Sequence, residues 1–435
     1  MCGLVGNSYG APVDDELAGI GHRGPDDAGV HTDGDLVLGH CRLAIRDLTG
    51  SRQPHRHGDT VVAYNGELWG IDDPSDTRRI AAELDDAGPA ALPGLAGQFA
   101  VAFTGPHGSY LARDRYGEVT LYAERLRQGW RWASERRTLG AGARPIPAGH
   151  HLNLETGELT RWAHPPEHPE PLTRETIRRN LAAAVDRRLV ADVPVALLLS
   201  GGLDSTSIVA HALEHLDDAV AYTAVYDPHA DDAKAARRVA AHYGIPLVEV
   251  PVAEPGLADV ARAVDTIEIP MKAQVELAVL CDPLAARIAA DGFRVVLSGE
   301  AADETFGGYG NLARHATDDA TWRRVRRQAV DKMARGNFVR LSKVFLRHGV
   351  EARTPYADPE LVEPALAAGV DACPPGKRAL VDALEGIVPD AVRRRRKQTF
   401  QGSSGLSSAL AARFSSPTRV YNAEARRRFG YLPKG

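Results

Sequence analysis

Two rhythms of apolar and polar positions divide the chain. Up to about residue 160 the apolar residues come in short runs, among them DLVLGHCRLAI, TVVAYNGELWG, GQFAVAFTG and GWRWASE, broken by Gly, Pro, Asp and His. Short apolar runs between turn formers predict β-strands. One stretch in this half, SDTRRIAAELDDAG at 75–88, has helical spacing instead. From about residue 172 the texture changes: TRETIRRNLAAAVDRRLVAD predicts an amphipathic helix, VPVALLLSGG a strand, and DSTSIVAHALEHL a second helix. The alternation continues through AVAYTAVYD, AKAARRVAAHYG, PLAARIAADG and FRVVLSGE, which predicts a parallel sheet covered by helices on both faces. The Pro-rich segment AHPPEHPEP lies between the two textures, so the fold class is α/β with two domains, 1–162 and 172–410. Residues 411–435 form a tail, and the stretch SSGLSSALAARFSSP leading into it predicts loose order.

Length and charge narrow the classes. A chain of 435 residues exceeds what one core usually supports, in keeping with two domains. A formal net charge of -5 carries no electrostatic footprint for nucleic acid. There is no long apolar run and no basic segment followed by an apolar one at the start, so no membrane association is expected and the expected location is the cytoplasm. Cys2, Cys41, Cys281 and Cys373 lack the spacing of a zinc site or a disulfide framework. Cysteine is therefore available for chemistry.

The chain begins MCGLVGNSYG. Cys2 is either an inert buried residue early in a strand or the first residue of a processed chain, where a free α-amine can serve the thiol as general base. Later stretches bear on that choice. GHRGPDDAG carries Arg23, Asp26 and Asp27 in a Gly- and Pro-fixed loop, CRLAI places Arg42 on a strand, and NGELWG follows the apolar run VVAY. The Asn65 amide and the Gly66 backbone N–H at the end of a buried strand suit an oxyanion hole. Glu67 and Asp76 suit a substrate α-ammonium, and Arg42 suits an α-carboxylate. Each piece alone is also an ordinary turn or strand residue. In their joint order, MCG, HRGPDD, RLAI, NGE, SD, ARDRYG and ASE, they resemble the glutaminase domain of class II glutamine amidotransferases. The resemblance implies a four-layer αββα N-terminal-nucleophile fold in which Cys2 attacks the glutamine side-chain amide, with Arg42, Asn65, Gly66, Glu67 and Asp76 as glutamine-binding and oxyanion residues.

The second half holds LLLSGGLDSTS, where a strand empties into Ser-Gly-Gly and a helix beginning near Asp204 aims its N-terminus at the same point. That is a cradle for pyrophosphate. It lacks the Lys-Ser/Thr of a Walker A loop, so it does not read as a γ-phosphate transfer site. VVLSGEAADETFGGY follows, loaded with Glu300, Asp303 and Glu304. Two such loops suit magnesium-bound ATP, with Asp204 and Asp303 as expected metal ligands. Lys377 in PGKRAL and the cations of RRRRKQTF, 393–400, suit a leaving pyrophosphate, although a basic run is also an ordinary solvated helix face.

SGGLDS, LSGE-x-x-DE-x-FGGY, GVEAR-x-P, GK and R-x-K-x-x-F together resemble the synthetase domain of asparagine synthetases and their relatives. The resemblance covers nearly the whole chain. It implies that Leu198 and Val225 flank the adenine, that Ser200, Gly201, Gly202, Asp204, Ser205, Ser298 and Gly299 bind ATP, and that Glu300 and Lys377 serve the acyl-adenylate step. The implied reaction takes glutamine, ATP with Mg²⁺ and a carboxylic acid, and yields a primary amide, glutamate, AMP and PPi. Ammonia would pass from Cys2 to the adenylate, and a homodimer is one assembly left open.

The acceptor segment departs from the family pattern. Where asparagine synthetases carry a Thr- and Arg-containing stretch, this chain has EIPMKAQVELAVLCDPLAA, with Lys272 the only cation nearby and Glu276 close to the expected Arg, and Ala301-Ala302 replace the common Gly-Ser. Aspartate is the family default and a specialised acid the other branch. An intramolecular amide-forming synthetase, like β-lactam synthetases or lasso-peptide cyclases, is the alternative, and the intact Cys2, Asn65 and Glu67 set argues against it. A tRNA-modifying enzyme conflicts with the acidic balance, and a non-catalytic regulator with the retention of Cys2, Asp204 and Lys377.

Overall fold

A computed structural model describes residues 2–430 except Asp72, Pro74 and 396–403. The chain separates into two compact units. The first comprises Met1–His164, Leu341–Glu351 and Ala425–Lys434, the second Pro165–Arg340 and Ala352–Glu424 with the last residue.

The first unit is built on two antiparallel sheets. Among the described residues, one holds β1 (Gly3–Asn7), β2 (Asp27–Asp33), β3 (Leu36–Arg42), β8 (Tyr122–Arg125), β9 (Trp130–Ala133) and β10 (Arg144–Pro145) in the order β10-β8-β9-β1-β3-β2. The other holds β4 (His55–His57), β5 (Thr60–Leu68), β6 (Gly97–Gly105), β7 (Gly108–Arg113), β11 (His150–Asn153) and β12 (Leu159–Arg161) in the order β12-β11-β7-β6-β5-β4. Helix α1 (Asp14–Ile20) seats Leu17 and Ile20 on Val5, Val37 and Cys41 of the first sheet. Helix α2 (Asp76–Ala87) seats Ile80, Ala81 and Leu84 on Val62, Tyr64 and Val101 of the second. Helix, sheet, sheet and helix are the four layers of the expected αββα fold.

Helix α2 realises the predicted spacing between two clear stops. The Ser75 hydroxyl accepts the Arg78 N–H as N-cap, and Gly88 at φ +55 ends the helix. Helix α1 corrects the expectation of a single helix in this half. Its seven residues, DDELAGI, are too few to display a period, and the signal it does carry is Asp14, Asp15 and Glu16 at the positive end of the helix dipole.

The second unit has a sheet in the order β15-β14-β13-β16-β17, among the described residues. Its strands are β13 (Val195–Leu198), β14 (Ala221–Val225), β15 (Leu247–Pro251), β16 (Val295–Leu297) and β17 (Glu351–Arg353). The pairs of β13 with β14, β13 with β16 and β14 with β15 are parallel. Between and after them run α3 (Arg174–Leu189), α4 (Leu203–Ala212), α5 (Asp231–Tyr243), α6 (Leu257–Ile267), α7 (Lys272–Ala290), α8 (Ala302–Phe306), α9 (Gly310–Ala313), α10 (Asp319–Met333), α11 (Asn337–Leu346), α12 (Pro359–Ala367) and α13 (Arg378–Ala383). Strand order reverses at β13, whose neighbours come from later in the chain on either side, and ligands of open parallel sheets bind beyond the strand ends at such a point. Both glycine-rich loops leave from there, one after β13 and one after β16.

The expected loose order after residue 401 is corrected for the described part. Helices Leu406–Arg413 and Pro417–Phe429 bury Leu406, Leu410, Tyr421 and Ala425 completely. Ser and Ala dilute the apolar period there, so few residues carry the packing. No described helix is long and apolar enough to cross a membrane.

Candidate functional site

In the first unit Cys2 lies immediately before β1, buried, with its Sγ 4.0 Å from the Leu43 carbonyl oxygen. Its backbone N–H donates to Asn65 Oδ1 at 2.7 Å. That contact fixes the Asn65 amide with its other end, Nδ2, buried and without a hydrogen-bond partner. A buried amide donor left unpaired costs about 1–3 kcal/mol, and a ligand oxygen removes that cost. Gly66 follows at φ +156, where a Cβ would stand 2.1 Å from the Gln98 carbonyl oxygen, so the strand admits only glycine.

Cys2, Arg42, Gly66, Glu67 and Asp76 line one pocket together. Arg42 donates to the carbonyls of Arg46, Asp47 and Leu48 at 3.2, 2.7 and 3.3 Å, which shapes the rim and leaves two of its five N–H groups for a ligand. Burial raises the Asp76 carboxyl above its ordinary range against the lowering charge of Arg46, and its Oδ2 has no hydrogen-bond partner. Burial likewise raises the Cys2 thiol, so the nucleophile needs a base or a substrate-induced change to ionise. Arg46 was missed in the sequence. Its guanidinium stands 4.0 Å from Glu67 and donates to the Asp73 carbonyl, yet IRDL has no motif that marks it. Glu351 also lines the pocket and was missed because it lies far along the chain, in GVEAR.

Arg23 turns inward beneath the thiol. Its Nε donates to the Cys2 carbonyl at 3.0 Å and its Nη1 pairs with Glu135, the Glu of ASE. Of the two carboxylates in its loop, Asp26 accepts the Ala44 N–H at 2.8 Å, while Asp27 caps the Ala28 N–H.

In the second unit the predicted nucleotide residues converge. Leu198 and Val225 end the adjacent strands β13 and β14. Gly201 at φ +71 passes so close to α5 that a Cβ would meet the Ala235 carbonyl carbon at 2.5 Å. Ser205 ties the loop by hydrogen bonds with Ser200 and Gly202. The two glycine-rich loops touch: a Cβ on Gly299 would stand 2.9 Å from the Ser205 nitrogen. Ser298 lies beside it, accepting the Glu300 N–H at 3.3 Å.

Lys377, at φ +58 ahead of α13, places its ammonium 2.7 Å from Asp204 and 2.8 Å from Asp303. Both expected metal ligands therefore face one point. Among the described residues no cluster of three or more His, Cys, Asp or Glu is placed to hold a metal. Two carboxylates fit Mg²⁺ all the same, since that ion takes one or two from protein and the rest from phosphate and water.

Glu300 is held on both oxygens, by Arg340 and by Asn337 Nδ2 at 3.1 Å. Asn337 also donates to Glu304 at 2.8 Å, as does the Tyr309 hydroxyl at 2.7 Å. Burial, with the charge of Glu300 next, pushes Glu304 up to about 7. Asn337 and Arg340 sit on α11 in GNFVRLSK, a stretch with no polar signature, and sequence reasoning missed them. Lys272 does not stand free: it pairs with Glu276 at 2.6 Å, and Glu276 also accepts the Ser407 hydroxyl at 2.9 Å. Of the basic run, Arg393 pairs with Asp390 and Arg395 with Asp232, while Arg396, Lys397 and the residues through Phe400 lie outside the described residues.

The glutamine amidotransferase domain pattern matches residues 1–162, and the asparagine synthase pattern matches 176–346 and 317–420, more than half of the chain. The chain is 29% identical to asparagine synthetase B [glutamine-hydrolyzing] of Escherichia coli, over 89% of this chain and 78% of that protein. It is 30% identical to asparagine synthetase [glutamine-hydrolyzing] 3 of Arabidopsis thaliana, over 79% of this chain and 66% of that one, just under two thirds of its length. A solved glutamine phosphoribosylpyrophosphate amidotransferase of B. subtilis matches 57% of this chain and 66% of its own at 20% identity and a TM-score of 0.31, too low to add to the fold described above. The chain belongs to the asparagine synthase family of glutamine-dependent ligases, with a glutamine amidotransferase domain at residues 1–162.

Proposed function

We propose that the chain transfers the amide nitrogen of glutamine to a carboxylic acid that it activates with ATP, releasing glutamate, AMP and PPi. The observation that carries this reading is the pairing of Cys2 N with Asn65 Oδ1, which leaves Asn65 Nδ2 buried without a partner, one residue before the Gly66 that lines a pocket with Cys2, Arg42, Glu67 and Asp76. With Met1 removed, that nitrogen is the α-amine. The Cys2 sulfur attacks the glutamine amide carbon, its proton passes to the amine, and Asn65 Nδ2 with the Gly66 N–H receives the oxyanion. Collapse expels ammonia with that proton, and water then cleaves the thioester to glutamate. Arg42 holds the substrate α-carboxylate, and Glu67 and Asp76 its α-ammonium.

In the second unit the acid's carboxylate attacks the α-phosphorus of ATP, PPi leaves, and ammonia displaces AMP from the acyl-adenylate. The loops around Gly201 and Gly299 hold the phosphates. Asp204 and Asp303 would hold Mg²⁺, which supplies charge neutralisation to the departing pyrophosphate. Lys377 then moves its ammonium onto the phosphates, and Glu300, kept in place by Arg340 and Asn337, takes a proton from the attacking ammonia.

The acceptor is a carboxylic acid, aspartate by family default. The engagement of Lys272 with Glu276 removes the nearest cation from service to an acceptor α-carboxylate and favours a specialised acid without one. AMP formation with ¹⁵N-amide glutamine across a panel of acids tests this. Full turnover on aspartate removes the specialised branch, and AMP without ¹⁵N in any product removes the transfer itself.

A further inference from the structure

The contacts behind the nucleophile extend past Arg23. Glu135 receives Arg23 on Oε1 and the ammonium of Lys343 on Oε2 at 3.2 Å. Lys343 comes from α11 and belongs to the stretch Leu341–Glu351 that the first unit includes, well outside residues 1–162. It also lies over the Tyr122 ring at 4.8 Å, and Arg137 completes the cluster at 3.4 Å from Glu135. Arg23, Glu135 and Lys343 are 0%, 1% and 1% exposed. Charges so deep are costly unless paired, and breaking one partner leaves the others uncompensated.

We propose that Lys343 is a positioning residue for Cys2, acting through Glu135 and Arg23 on the Cys2 carbonyl. The proposal rests on the reading of Cys2 as nucleophile. Burial opposes the charge on Glu135, and Lys343 is the largest of the opposing attractions, ahead of Arg23 and Arg137, that hold its carboxyl well below the usual range. Without Lys343 the carboxyl weakens as a partner for Arg23. The Arg23 guanidinium already has its Nη2 without a hydrogen-bond partner, so it then loses its fixed orientation. Its Nε–H donates to the Cys2 carbonyl, and the peptide that carries the thiol loses that anchor with it. A displacement of about 1 Å at a nucleophile lowers turnover while leaving Arg42, Glu67 and Asp76 in place to bind glutamine.

The test uses the full-length protein as wild type, Lys343→Met, Lys343→Arg and Glu135→Gln, with glutamine hydrolysis and the alkylation rate of Cys2 by iodoacetamide as separate readouts. Lys343→Met lowers kcat for glutamine roughly 10- to 100-fold with KM nearly unchanged, alters the pH profile of alkylation, and is largely rescued by Lys343→Arg. Glu135→Gln gives the same pattern and carries the test if Lys343→Met fails to fold. Wild-type kcat and alkylation in the folded variants overturns the proposal, as does a loss of equal size in Lys343→Arg. A wild type that hydrolyses no glutamine overturns the proposed function instead, and the alkylation comparison still decides the role of Lys343.

Discussion

Asn65 and Cys2 are joined by a hydrogen bond of 2.7 Å that runs from the Cys2 backbone nitrogen to Asn65 Oδ1, across 63 positions of sequence. One side chain thereby orients the nitrogen that becomes the base and presents the opposite end of its amide to the developing oxyanion. Asn65→Ala should lower kcat for glutamine hydrolysis by about 10²–10³, the loss typical of one oxyanion donor, with a smaller change in KM. Losses in kcat and kcat/KM of similar size in steady-state kinetics check it.

Asp76 ties glutamine affinity to pH. Its carboxyl is raised in the free protein, so binding of an α-ammonium is present above that raised pKa and is lost as pH falls through it, earlier than for an ordinary carboxylate near ~3.9. KM for glutamine should therefore climb on acidification while ammonia-supported AMP formation does not follow. The same shift has a stability side: a raised folded pKa favours the folded state below the unfolded pKa and loses that contribution as pH rises. Asp76→Asn should raise the melting temperature of the free protein at neutral pH and abolish its further rise with added glutamine.

Glu304 carries the corresponding signature in the second unit. With its carboxyl pushed up to about 7, it contributes stability that is complete below the unfolded value near ~4.3 and gone above pH 7. Glu304→Gln, whose amide oxygen still accepts from Tyr309 and Asn337, should be more stable than wild type at pH 8–9 by on the order of 1–3 kcal/mol and show little difference near pH 5. Denaturant midpoints at the two pH values measure it.

Lys377 separates the two half-reactions. Lys377→Met should remove AMP formation with either glutamine or ammonium as donor and leave glutamine hydrolysis present, since its ammonium pairs with Asp204 and Asp303 and it is not among the residues that line the Cys2 pocket. Loss of glutamine hydrolysis to the same extent would place Lys377 in the wrong site.

Much of this arrangement is written locally in the chain. Ser75 and Gly88 bracket α2, and the glycines at 66, 201 and 299 stand where a Cβ would strike backbone, so short motifs reveal them. The predicted pocket residues Cys2, Arg42, Gly66, Glu67 and Asp76 come together because each sits at a strand end or helix start that the apolar pattern already fixes. Arg46, Asn337, Arg340 and Lys343 were invisible for the opposite reason. Their roles come from tertiary neighbours, and a lone polar or charged side chain on an ordinary helix or loop has no spacing to betray its partner. Glu351 and Lys343 were further hidden by distance, lying 180 and 172 residues beyond the end of the Pro-rich segment that the texture marks as a boundary.

The most direct measurement is glutamate release from glutamine by Cys2→Ala beside its AMP formation with ammonium and the panel of acids. The variant should release no glutamate above background and still form AMP when ammonium is supplied. Glutamine hydrolysis by Cys2→Ala at the wild-type rate would contradict the assignment of the nucleophile and with it the whole account of nitrogen transfer.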